Sequence, residues 1–132
     1  MDKENAEYLA KYRIAKAKEA LNTAKILFSD IKDYTAANNR AYYAIFYAIR
    51  AVLALEEKDF KRHKDVIAYF NQNYIKTEIF PRKLGSKISK AQKVREDNDH
   101  DDDYRISIEE TENQVKTAEE VVILIEEYIK NR

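Results

Sequence analysis

Between residues 41 and 55, fourteen of fifteen side chains are apolar, and the exception is Arg50. A helix built from such a segment has no polar face and must be covered on all sides. Fifteen helical residues rise only about 22 Å, short of the roughly 30 Å hydrocarbon core of a bilayer. Arg40, Arg50 and Glu56 also crowd the stretch. The segment therefore reads as the central helix of a soluble bundle, not as a membrane span. Four helices are hard to arrange around one in a chain of 132 residues. One side of the central helix is accordingly expected to meet a second copy of the chain.

The rest of the sequence agrees with a helical chain. One Gly and one Pro leave few sites for tight turns, which disfavours an all-β fold. Ile14, Ala17, Leu21, Ala24, Phe28 and Ile31 recur at spacings of three and four, which predicts a first helix over residues 4–31. Thr35 is placed to cap the second helix, over 36–57. A third helix is expected over 63–75, with Val66, Ile67, Phe70 and Tyr74 inward. Pro81 ends it, and with Gly85 marks one break. A fourth helix follows over 82–97. Ser107 and Glu110 form a capping box for the last, which runs to about residue 130 and turns Ile108, Thr111, Val115, Ala118, Val122, Ile125 and Ile129 to one face. The expectation is an all-α, antiparallel up-and-down bundle of about five helices, forming one domain over residues 1–132.

Composition narrows the function. Apolar residues make up 45% and charged residues 36%, too hydrophobic for disorder. With 24 basic and 24 acidic residues, the chain as a whole is no electrostatic binder of nucleic acid, so any such role needs a local patch. The absence of cysteine excludes disulfides and thiolate chemistry. The charged start Met1-Asp2-Lys3-Glu4-Asn5 lacks a signal core. A cytoplasmic protein with no cofactor is expected.

Charge is sharply polarised near residue 95. Residues 82–95 hold six bases and no acid, and the next eight positions hold six acids. A basic helix can track a phosphate backbone, but the acids beside it would repel the same polyanion. The two segments could instead neutralise each other. Leu84, Ile88, Ala91 and Arg95 share one helical face, which turns Arg95 toward the core or a partner. A guanidinium there needs a partner, because an uncompensated buried charge is very costly. A carboxylate such as Asp103 fits, and so does a substrate phosphate. His100, five residues on, can act as acid or base near neutrality, or can simply be a solvated residue of the acidic run. No second histidine stands nearby and no loop glycine suits a calcium site, so no metal is expected. Arg40, Tyr43 and Tyr47 share a stripe of the second helix that suits either stacking on bases or a buried interface. His63 falls in the first turn of the third helix and is assigned no chemistry.

Taken together, Asn39-Arg40-Ala41-Tyr42-Tyr43-Ala44-Ile45-Phe46-Tyr47, then Arg62-His63 through Phe70, then Arg95 with Asp103-Tyr104, resemble the HEPN domain family, above all its small stand-alone prokaryotic members. The resemblance spans residues 15–128. It implies a helical bundle acting as a homodimer. Active members are metal-independent endoribonucleases in which an Arg-x4–6-His pair lines the dimer cleft, and Arg95 and His100 fall on those positions. It also implies work beside a small nucleotidyltransferase, as toxin and antitoxin; the alternative is a non-catalytic module that binds nucleotide or protein and partners such a nucleotidyltransferase. Asp103, Tyr104, Arg40, Tyr43 and Tyr47 would support the site or the ligand. In some family members a tyrosine soon after the histidine is modified; Tyr104 lies four residues after His100, not two, and that role is not carried onto it.

Overall fold

The structure, a computed structural model, describes residues 3–100 and 106–132, with the backbone alone described at 99 and 100. Five α-helices form an all-α, antiparallel bundle: α1 (Lys3–Ile26), α2 (Tyr34–Leu55), α3 (His63–Phe70), α4 (Arg82–His100) and α5 (Ile108–Lys130). Among the described residues there is no strand. Among the described residues no helix is long and apolar enough to cross a membrane.

The apolar run of α2 does lie at the centre, and α1, α3, α4 and α5 all pack on it. Four helices therefore do surround one in this chain. The arrangement is possible because α3 is only eight residues long and two thin faces, rich in alanine, let α1 and α2 approach closely. Ala10, Ala17, Ala24, Ala41, Ala44, Ala48 and Ala51 are all wholly buried. From residue 40 to residue 50 of α2, what stays half-exposed is one stripe: Arg40, Tyr43, Tyr47 and Arg50.

Two helices widen at their ends. Leu27–Ile31 extends α1 as a π turn, and Asn71–Ile75 extends α3 in the same way. A π turn adds about one residue per turn, so it rotates whatever follows off the preceding stripe. Ile14, Leu21 and Ala24 are buried as the periodicity predicts, yet Ile31 is 62% exposed. Phe28 instead meets Tyr34 edge-on, with ring centroids 5.6 Å apart. The cap of α2 also differs from expectation: the Asp33 carboxylate, not Thr35, accepts from the Ala36 N–H at 3.1 Å. A charged acceptor at a helix N-terminus gains from the helix dipole as well as from the hydrogen bond, and α2 begins two residues earlier than expected. The capping box of α5 forms as expected, with Ser107 Oγ accepting from Glu110 N at 3.0 Å and Glu110 Oε1 accepting from Ser107 N at 3.2 Å.

Gly85 does not break the chain. It lies inside α4, where a Cβ would come within 2.8 Å of Ile75 Cγ2. Alanine there would add helix propensity of about 1 kcal/mol. It would also strike a buried β-branched side chain whose χ1 is stiff. The clash is expected to win, with Gly85→Ala destabilising by roughly 1–2 kcal/mol in urea unfolding. In an Ile75→Ala background the same change should cost nothing or stabilise, and equal costs in both backgrounds would refute the contact.

Candidate functional site

The half-exposed stripe of α2 is where the chemistry collects. Tyr42, on the edge of that stripe, is 1% exposed and sends its ring under α4. The α4 spacing delivers Arg95 to the same place: Leu84, Ile88 and Ala91 are buried, and Arg95, one turn further on their face, is half-buried. Its guanidinium carbon sits 4.9 Å from the Tyr42 ring centroid and 5.7 Å from that of Tyr43. Two aromatic faces thus hold the cation, through the attraction between a positive charge and a ring quadrupole. Burial pushes the Tyr42 phenol up to about 12, with Arg95 pulling the other way and Glu96 and Tyr43 adding to the rise. Tyr42 is therefore a neutral hydroxyl at physiological pH.

The histidine in this cluster is His63. The loop after α2 brings the first turn of α3 back over the central helix. The His63 ring lies on Phe46, centroids 3.8 Å apart and planes 22° from parallel. It is stacked against Tyr42 at 6.2 Å and meets Tyr43 edge-on at 6.3 Å. Its Nδ1 is 3.5 Å from the Tyr42 hydroxyl, at the limit of a hydrogen bond. Burial, then the positive charges of Arg95 and Arg50, hold its pKa below the ordinary 6.5.

Arg50, the lone charge of the apolar run, closes the far side. Its guanidinium is 5.8 Å from the Phe46 ring and donates to Asp59 Oδ2 at 2.7 Å. Arg13 of α1 reaches the same carboxylate oxygen at 3.4 Å and donates to the Arg50 carbonyl at 3.2 Å. Burial works to raise the Asp59 pKa, but hydrogen bonds from Arg50 and from the Phe60 N–H, together with both guanidinium charges, carry it below the usual carboxylate range. Two arginines sharing one carboxylate leave an excess positive charge beside Phe46. At the other end of the stripe Arg40 lies 5.6 Å from the Tyr43 ring, and Tyr43 is 6.2 Å from Tyr47.

Several sequence expectations can be placed. Arg95, Arg40, Tyr43 and Tyr47 come together on one face. His100 ends the α4 backbone, but its side chain, with Asp103 and Tyr104, lies outside the described residues. The basic face of α4 is partly neutralised by its surroundings: Lys87 pairs with Glu120 of α5 at 2.7 Å, Arg82 with Glu78 at 3.1 Å and Lys93 with Asp97 at 3.5 Å. An uninterrupted basic track along α4 is therefore not what the helix presents. Among the described residues no three metal-ligating side chains gather. The contributions that sequence reasoning missed are His63, Tyr42, Phe46 and Arg50. One signal was present: Tyr42, Phe46 and Arg50 repeat every four residues, and Arg50 is the only charge among fifteen residues.

The depressed His63 pKa has a consequence for stability. Well above pH 6.5 the imidazole is neutral in both folded and unfolded chains. As pH falls, the unfolded chain takes its proton first, so the folded state loses stability through and below that range. A melting temperature that declines from pH 7 to pH 5, less steeply in His63→Gln, is the expected result.

Comparison with known proteins agrees with the geometry. The family model described as HEPN domain matches residues 10–128. A UPF0332 protein of Thermotoga maritima is 29% identical, covering 95% of this chain and 94% of its own length. Two proteins of Methanocaldococcus jannaschii, both named "Putative toxin", are 32% and 34% identical. They cover 75% and 86% of this chain, and 67% and 84% of their own lengths. With most of its length matched and its other helices packed on α2, the chain belongs to the HEPN domain family.

Proposed function

We propose that this chain is a toxin-type ribonuclease that cleaves RNA without a metal, as a homodimer, with Arg95 holding the scissile phosphate and His100 moving a proton. One observation carries the reading: the Arg95 guanidinium is fixed on the rings of Tyr42 and Tyr43, in the cluster that also holds the His63 imidazole. A fixed planar cation can meet the two charged oxygens of a phosphate, and it stabilises charge that grows on them in the transition state. The half-exposed stripe of Arg40, Tyr43, Tyr47 and Arg50 lies where a second copy or an unstacked base would meet α2. The toxin names of two relatives point the same way.

The same stripe favours a second reading, in which Arg40 and the tyrosines bind a nucleotide or a partner nucleotidyltransferase without chemistry. Incubation with single-stranded RNA in EDTA separates the two. The nuclease reading expects 2′,3′-cyclic phosphate ends from the wild type and loss of them in His100→Ala. Equal cleavage in both proteins, or none in either, rejects it. A melting-temperature rise with nucleotide in the absence of cleavage supports the binding module.

A further inference from the structure

His63 and Arg95 reach the same two rings from different helices. Each contacts Tyr42 and Tyr43, and the imidazole alone goes on to stack on Phe46. The ring is half-buried. The tautomer with its hydrogen on Nδ1 faces it toward the Tyr42 oxygen and leaves the Nε2 lone pair to accept. A neutral imidazole beside a permanent cation is the complement that a phosphodiester and its neighbouring hydroxyl require.

Resting on the nuclease reading, we propose that His63 is the proton acceptor of the Arg95 site. Arg95 holds the nonbridging oxygens of the phosphodiester. His63 takes the proton of the ribose 2′-hydroxyl while that oxygen bonds to phosphorus. The bond from phosphorus to the 5′ oxygen breaks, and the leaving oxygen takes a proton from water. The products are a 2′,3′-cyclic phosphate and a 5′-hydroxyl, with no metal or redox step. His63 then returns its proton to solvent.

The charged and titratable groups facing His63 set its pH behaviour. From α2 these are Tyr42, which keeps its proton, Tyr43 and Arg50; from α4, Arg95. On its own helix Asp65 is engaged by Arg62 at 2.9 Å. Both charges that shift the imidazole are cations, so it is mostly neutral at pH 7 and suited to accept. An anion bound at Arg95 would offset that repulsion and raise its pKa.

The experiment is cleavage of a labelled RNA in EDTA across pH 4.5–8 by wild type, His63→Gln, His63→Asn and Arg50→Gln, with melting temperatures as the folding control. Proton NMR of the wild-type His63 ring, with and without adenosine 3′-monophosphate, runs beside it. The wild type should show a rate rising with pH and levelling off by neutrality, and a His63 pKa that moves up when the nucleotide binds. Both histidine variants should fold yet lose roughly 100-fold or more in rate, the usual contribution of a general base. Arg50→Gln should move the acid limb to higher pH. Cleavage within threefold of wild type in a folded histidine variant, with the acid limb unchanged, overturns the proposal while leaving Arg95 and His100 intact. An NMR pKa that ignores the bound nucleotide overturns it even where the variants fail to fold. An inactive wild type sinks the nuclease reading, and the acceptor role with it.

Discussion

Arg95→Ala should lower RNA cleavage by about 10²–10³-fold, the scale seen when one preorganised charge-stabilising donor is removed. The cost to folding should be far smaller. Arg95 is half-buried at the end of a packed stripe, and its contacts with Tyr42 and Tyr43 are worth about 0.5–2 kcal/mol together. A modest fall in melting temperature with a collapse in rate is therefore the signature expected. Arg95→Lys should not restore activity, because an ammonium keeps the charge but cannot present two parallel donors or lie flat on a ring. Single-turnover rates at saturating protein would measure the effect directly. Full activity in a folded Arg95→Ala protein would remove the residue from the mechanism.

Phe70→Ala should be the most damaging change to stability, costing roughly 3–5 kcal/mol. Phe70 is wholly buried, stacks on Tyr74 and Phe80 with centroids 5.5 Å apart in each case, and stands where α3 meets its π turn. Tyr128 of α5 closes the group by packing on Phe80 at 5.3 Å. The Tyr74 hydroxyl donates to Glu56, which ties the end of α2 to the same cluster and, with burial, drives the tyrosine pKa up. Removing the ring leaves a cavity walled by Tyr74 and Phe80 from two segments, and Tyr128 behind them limits how far they can collapse into it. For a chain of this size the loss corresponds to roughly 10–20 °C in melting temperature. Phe70→Leu, which keeps most of the volume, should cost less than half as much. Similar losses in both variants would mean that ring stacking, not volume, holds the cluster.

Periodicity made the bundle legible, because burial repeats along each helix and needs no long-range information. Leu84, Ile88, Ala91 and Arg95 fell on one face in the sequence and do so in the structure. The same reasoning failed at Ile31 and Phe28, since a π turn changes the angle per residue without any compositional mark. It read Gly85 as a break because a glycine used for clearance looks the same as one used for a turn. His63 was illegible for a different reason. Nothing within a few residues of it hints at Phe46, and only the path of the chain from 56 to 62 brings the two rings together. Arg95 was identified as a cation in need of company. That its company includes two tyrosines of α2 depended on how α4 crosses that helix, which no local pattern encodes.

The zero clearance at Gly85 reaches further than its own neighbourhood. A straight helix is a stiff rod, and Arg95 stands ten residues along it, about 15 Å from the notch. Where Ile75 seats against bare backbone, it fixes how deeply the near end of that rod sinks, and so the height at which the far end carries its guanidinium. A single methyl group added at the notch would act as a shim, lifting the working end of α4 away from the tyrosines without touching any of them.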